Sequence, residues 1–206
     1  AGCFAKLGHS VVCADNDINK IEKIKNLEMP FYEPGLREMI EETVKSGNLV
    51  FVTSIAELTE KCGVIFIAVG TPSTEEGGAD LSYVENVTVE IAKSLAGTKK
   101  GVYKLIIEKS TVPVLTGEWV RRTLELMAPT GAEFDVAANP EFLREGNAIK
   151  DFMEPDRIVV GVESGRAKKV FEEIYAPIKA PVIFTDVKSA ELIKHASNSF
   201  LALKIS

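Results

Sequence analysis

Short apolar runs alternate with amphipathic stretches along the whole chain, and this alternation restricts the fold more than any other feature. Gly63 to Val69 (GVIFIAV) is continuously apolar, as a strand buried on both faces is. Ser10 to Ala14, Leu49 to Thr53, Tyr103 to Ile107, Phe134 to Ala138, Arg157 to Val162 and Val182 to Phe184 read as further strands. Between them, Ala1 to Leu7, Asn16 to Leu27, Leu36 to Ser46, a short segment capped by Ser54, Asp80 to Ala96, Pro113 to Met127 and Arg166 to Tyr175 read as helices. Strand–helix alternation of this kind predicts an α/β fold with a mainly parallel sheet and helices on both faces. Residues 187–206 then read as the start of a long connecting helix, separate from a sheet-bearing unit over residues 1–186.

In an open parallel sheet the carboxyl ends of the strands share one edge, and ligands bind there. Polar motifs follow four of the predicted strands: Asp15, Gly70-Thr71-Pro72, Ser110-Thr111, and the octapeptide NPEFLREG at Asn139 to Gly146. Within the octapeptide, Pro140 is expected just inside a helix start. Glu141 and Glu145, four apart, would then share a helical face. The octapeptide alone equally suits a solvated, charged first turn of a surface helix. Recurrence at four strand ends favours a ligand site.

A helix end at Leu7, then Gly8, a strand and Asp15 form the second half of a dinucleotide-binding βαβ unit, in which the acidic residue accepts bonds from ribose hydroxyls. The alternative role for Asp15 is to cap the next helix. No G-x-G-x-x-G spacing occurs in the sequence. On the long helix, Lys194 and Asn198 share one face. Leu192, Ala196, Ser199 and Leu203 lie on another, suited to packing on a domain or a partner chain.

The net charge of −6 disfavours nucleic-acid or acidic-membrane partners. No apolar run reaches the ~18 residues of a membrane span, and the N-terminus lacks a signal-peptide layout. Cys3, Cys13 and Cys62 have neither disulfide nor metal spacing, which fits a reducing cytoplasm, and no Cys/His cluster suggests a metal.

Six segments together carry a resemblance: FYEPGL (Phe31 to Leu36), IAVGTP (Ile67 to Pro72), KSTVP (Lys109 to Pro113), NPEFLREG, DRIVVG (Asp156 to Gly161) and ELIKHASNSFLALKIS (Glu191 to Ser206). In this order they resemble the UDP-glucose/GDP-mannose dehydrogenase family, and within it the UDP-glucose 6-dehydrogenases. The resemblance implies a Rossmann-like fold that oxidises C6 of UDP-glucose to give UDP-glucuronate. NAD accepts two successive hydrides, and a cysteine carries the intermediate as thiohemiacetal and thioester.

By the same resemblance, Lys194 and Asn198 stabilise oxyanions. Glu145 is the base for thioester hydrolysis, with Thr111 and Glu141 holding the water. Asp15 selects NAD over NADP by repelling a 2′-phosphate, and Lys20 contacts the adenosine side. Val69, Gly70 and Thr71 line the cofactor, joined by Thr111 and Glu145. Phe142, Leu143 and Arg144 meet the nucleotide sugar, together with Glu141, Glu145, Lys194 and Asn198. A homodimer through the helix beginning near Val187 is also implied. Tyr32 and Glu33 receive no role, and Arg157 reads as a strand-start charge.

The sequence departs from the family in two ways. It has no glycine-rich pyrophosphate turn, and none of its cysteines lies in the glycine-rich context of the family's nucleophile. The expectation is therefore a fragment, inactive by itself and of low stability. Two alternatives are a GDP-mannose or other nucleotide-sugar dehydrogenase, and a non-catalytic nucleotide-binding or dimerisation module.

Overall fold

Hydrogen bonding divides the strands of the computed structural model into two sheets; it describes residues 1–98 and 101–205. The first sheet is a parallel pair, β1 (Val11–Ala14) and β2 (Leu49–Val52). The second runs in the order β3 (Val64–Ile67), β4 (Tyr103–Glu108), β5 (Glu133–Ala138), β6 (Ile158–Gly161), β7 (Val182–Thr185). Its pairs are parallel except β5–β6, which is antiparallel and held at the single pair Ala138–Gly161. The helices are α1 (Gly2–Lys6), α2 (Ile18–Lys25), α3 (Leu36–Lys45), α4 (Ile55–Lys61), α5 (Ser82–Ser94), α6 (Thr116–Met127), α7 (Ala148–Met153), α8 (Gly165–Tyr175) and α9 (Val187–Ile205).

The expected alternation is thus present, and β4 shows how the layers form. Leu105, Ile106 and Ile107 are all fully buried. The pleat sends Ile106 to one face, against Val84 and Ile91 of α5 and Val120 and Leu124 of α6. Leu105 and Ile107 go to the other, with Phe171 and Tyr175 of α8. Each such burial contributes roughly 1.5–3 kcal/mol. A third cluster, with Ala5, Ile21, Ile40, Leu49 and Phe51, covers the β1–β2 pair. Phe4 of α1 bridges toward the larger sheet, its ring 5.2 Å from Phe66 and 5.0 Å from Phe152.

Helix α9 lies unusually close to β6 and α6 because two glycines leave room for it. A Cβ on Gly161 would stand 2.7 Å from Val187 Cα and 2.8 Å from Ala190 Cβ. One on Gly117 would stand 2.6 Å from Val187 Cγ1. Val187 and Ala190 are accordingly buried against Ala138 and Val159.

Two expectations fail locally. The octapeptide 139–146 is not a helix start; it is a loop, and α7 begins only at Ala148. Its polar groups are committed to tertiary partners instead of a helical turn. The Asn139 amide donates to Val159 O at 2.9 Å and its Oδ1 accepts from Tyr175 Oη at 2.5 Å. Arg144 binds Asp151 through its backbone N–H at 3.0 Å and its guanidinium at 2.6 Å. Glu141 and Glu145 therefore share no helical face. Likewise α6 starts at Thr116, not Pro113: Leu115 takes φ 81°, and Pro113 O accepts from Thr116 N at 3.2 Å. Ser206, the last residue of the expected terminal helix, lies outside the described residues.

Candidate functional site

The ends of β3, β4 and β5 carry the expected polar motifs to one edge. Beyond β3, the Val69 N–H donates to Ser110 Oγ at 3.0 Å, and the Thr71 hydroxyl donates to Thr111 O at 2.8 Å. The motifs after β3 and β4 are thus fastened to each other. They border an open hollow of about 600 Å³ lined by Thr71, Gly78, Thr111, Pro113, Leu192 and His195. That size is typical of a ligand cleft. The His195 ring nitrogen lies 2.6 Å from Val112 O, so α9 closes one side.

Beside the hollow is a tighter, charged cluster. Lys109, next to the end of β4, forms an ion pair with Glu141 at 2.9 Å. Glu141 also accepts from its neighbour's N–H, Phe142 N, at 2.6 Å. Lys194, half-buried on α9, donates to Glu141 O and stands 5.2 Å from the centre of the Phe142 ring. Burial holds the Lys194 ammonium below the ordinary lysine range, although Glu141 pulls the other way. Arg157 is more than a strand-start charge: its guanidinium lies over the Phe142 ring at 5.4 Å. Phe142 is thereby covered by two cations.

Of the residues singled out from sequence, Glu141, Phe142 and Lys194 meet here, and Thr71 and Thr111 meet at the hollow. Glu145, Arg144, Thr111 and Asn198 are exposed, and Leu143 is half-buried. Sequence reasoning passed over Lys109, Glu108, Asn139 and Glu191. The signal was available for Lys109 in its motif. It was absent for Glu191, whose burial depends on how α9 docks.

Asp15, at the end of β1, is not the cap of α2. Asp17 is, accepting from Lys20 N at 3.1 Å. Burial opposes the charge on Asp15, but hydrogen bonds from Lys20 and Asp17 N outweigh it and hold the carboxyl below its ordinary range. Asp15 is therefore a fixed anion at a strand end. Lys20 is engaged with it.

Comparison with known proteins then decides the family. A family model described as the UDP-glucose/GDP-mannose dehydrogenase family, NAD binding domain, matches residues 1–179. The chain belongs to this family.

Among curated relatives, UDP-glucose 6-dehydrogenase TuaD of Bacillus subtilis is 46% identical over 99% of this chain and 43% of its own length. A UDP-glucose 6-dehydrogenase of Rhizobium meliloti is also 46% identical, over 99% of this chain and 47% of its own. The chain therefore spans about half the length of these relatives. Among solved structures, a UDP-glucose dehydrogenase from Pyrobaculum islandicum aligns with TM-score 0.94 and 41% identity, over 99% of this chain and 47% of that one. A GDP-mannose dehydrogenase from Pseudomonas aeruginosa aligns with the same TM-score at 35% identity, over 100% and 47%.

NAD is the cofactor of the matched domain, and the residues present suit it. Asp15 is an anion at a strand end, the kind of group that accepts ribose hydroxyls and repels a 2′-phosphate. At Gly70 an added Cβ would meet nothing within 4 Å, so that side of the turn is open to a ligand. The three cysteines of this family member do not suit covalent chemistry. Burial raises the proton affinity of Cys3, Cys13 and Cys62 alike, whereas a nucleophilic thiol needs the opposite. No helix among the described residues is long and apolar enough to cross a membrane.

Proposed function

We propose that this domain is the NAD-binding part of a UDP-glucose 6-dehydrogenase, which oxidises the C6 alcohol of UDP-glucose to a carboxylate in two hydride transfers. The observation that carries the reading is the position of Lys194: a half-buried ammonium from α9, brought against Glu141 and Phe142 at the strand-end edge. An alkoxide or tetrahedral oxyanion forming there gains most from a fixed, partly desolvated positive charge. Asn198, one turn further along α9, adds a neutral donor to the same job.

NAD accepts the hydrides when bound. The chain's own groups do the rest. Asp15 receives the adenosine ribose, and Lys20 steadies Asp15. Val69, Gly70 and Thr71 form the wall along the cofactor. Glu141, Phe142, Leu143 and Arg144 face the nucleotide sugar. Glu145, exposed to solvent, activates the hydrolytic water, with Thr111 and Glu141 orienting it. The thiol that carries the aldehyde as thiohemiacetal and thioester is none of Cys3, Cys13 or Cys62. The 206-residue chain alone is accordingly expected to complete no oxidation. Residues 1–186 are the cofactor unit in this reading, and the helix from Val187 onward is the connection through which two copies pair.

UDP-glucose is favoured as substrate by the names of the curated relatives, and GDP-mannose by a solved structure of equal TM-score. Nicotinamide reduction by the natural protein that carries this domain, offered each sugar in turn, tests the choice. Faster turnover of UDP-glucose supports the proposal, with two NADH formed per sugar; preference for GDP-mannose overturns it.

A further inference from the structure

Glu108, the last residue of β4, is 2% exposed and carries an unusual burden. Its Oε1 accepts from Ser110 N at 2.7 Å. Its Oε2 is buried and meets no hydrogen-bond partner. Buried polar atoms are nearly always satisfied, by protein or by ordered water. The Ser110 hydroxyl is occupied, accepting from Val69 N and reaching Ile67 O at 3.4 Å. A small cavity adjoins the carboxyl, lined by Glu108, Ser110, Ala138, Pro140, Glu191 and Lys194. Its water-accessible space is about 10 Å³, at the lower limit for one water molecule.

The opposite wall supplies partners for that water. Glu191 of α9 is 3% exposed and accepts from the N–H groups of Leu115 and Gly117, each at 2.7 Å, so it ties α9 to the start of α6. Lys194, three residues on, spends one proton on Glu141 O and has others to give. We propose that the unpartnered oxygen of Glu108 holds one internal water in this cavity, and that this water links β4 to Glu191 and Lys194, making Glu108 a positioning residue for Lys194. The water site stands on the cavity alone; its consequence for turnover rests on the role proposed for Lys194.

The protonation pattern fits the arrangement. Burial is the main cause that lifts the Glu108 carboxyl to about 8, with Glu191 adding to it, while Ser110 pulls it down. Burial also raises Glu191, but two backbone N–H groups at a helix start favour its anion. Of two neighbouring buried acids, the one with fewer donors keeps the proton, and that is Glu108. As a neutral acid it donates to the water, which in turn donates to the Glu191 carboxylate and accepts from Lys194. The other charged groups near the cluster are Lys109 and Glu141 at the strand ends, and Lys188 and His195 on α9, which favour the Glu191 anion.

Three measurements on the protein test this. A high-resolution crystal structure should show one water within hydrogen-bond distance of Glu108 Oε2. Infrared spectra should show a carboxylic-acid carbonyl band at pH 7 that is lost with a midpoint near pH 8 and is missing in Glu108→Gln. Below pH 7 the ¹³Cε resonance of Lys194 should hold the same position in wild type and Glu108→Gln, and be displaced in Glu108→Leu, which cannot hold the water. A dry cavity, no acid band at pH 7 in the wild type, or an unmoved Lys194 resonance in Glu108→Leu each overturns the proposal. If the water and the resonance behave as expected but Lys194→Ala leaves turnover intact, the proposed catalytic role of Lys194 fails and the water site does not.

Discussion

At the residue scale, two carboxyl groups have opposite fates. Asp15 is held ionised by Lys20 and a backbone N–H despite partial burial, and in the function proposed its charge distinguishes a ribose hydroxyl from a phosphate. Asp15→Ala is expected to weaken NAD binding by about tenfold, the loss of a charged hydrogen bond of ~1.4 kcal/mol. NADP should lose little or gain, so the ratio of the two dissociation constants falls toward one in calorimetric titration. Glu108 is the reverse case. Its carboxyl keeps its proton in the fold up to about pH 8, but an unfolded chain releases that proton near the ordinary value of ~4.3. The folded state binds more protons over this window, so stability falls as pH rises from about 4.3 to about 8 and then levels off. Glu108→Gln should remove that slope and gain up to roughly 5 kcal/mol over wild type at pH 9, read from urea unfolding. The sequence singles out Asp15 as a candidate because its place after a strand is a local fact. It did not identify Glu108 or Glu191, because burial of an acid depends on which helix lies over it.

At the scale of elements, the strands and most helices were legible from periodicity, since each strand had to be apolar on the sides it buries. The octapeptide after β5 was not. Its Pro140 and paired glutamates look like a helix start, yet Asn139, Glu141 and Arg144 bind β6, Lys109 and Asp151, and a loop results. Local preference lost to several tertiary hydrogen bonds. Glu33 is another case: it has no local reason to be special, but it is 8% exposed and accepts from Ile149 N at 3.2 Å, anchoring α7. The docking of α9 is the element-scale feature on which the site depends, and it is controlled by Gly161. Gly161→Ala would drive a methyl against the backbone of Val187 and Asp186, which cannot yield as a side-chain tip can. The expected cost is about 2 kcal/mol, or a fall in melting temperature of ~4–8 °C for a domain of this size. Gly165→Ala, with open space around it, should change little in the same scan.

For the molecule as a whole, the mainly parallel sheet with helices on both faces, the family and the cofactor all follow from motifs readable in order along the chain. The pairing scheme does not. Nothing in the sequence indicates that β5 and β6 run antiparallel through one residue pair, or that β1 pairs with β2 alone among the described strands. Those are outcomes of packing between segments far apart in the chain: β6 is held by its four-residue pairing with β7 and by α8 and α9 on its two faces. In the function proposed, the strand-end motifs and α9 form one catalytic site around Lys194. This is tested most directly by the turnover of UDP-glucose by the natural protein that carries this domain, comparing Lys194→Ala with Lys204→Ala at saturating NAD. Lys194→Ala should lose roughly 10²–10³ in kcat and Lys204→Ala should lose nothing; equal turnover by the two variants would contradict a catalytic Lys194.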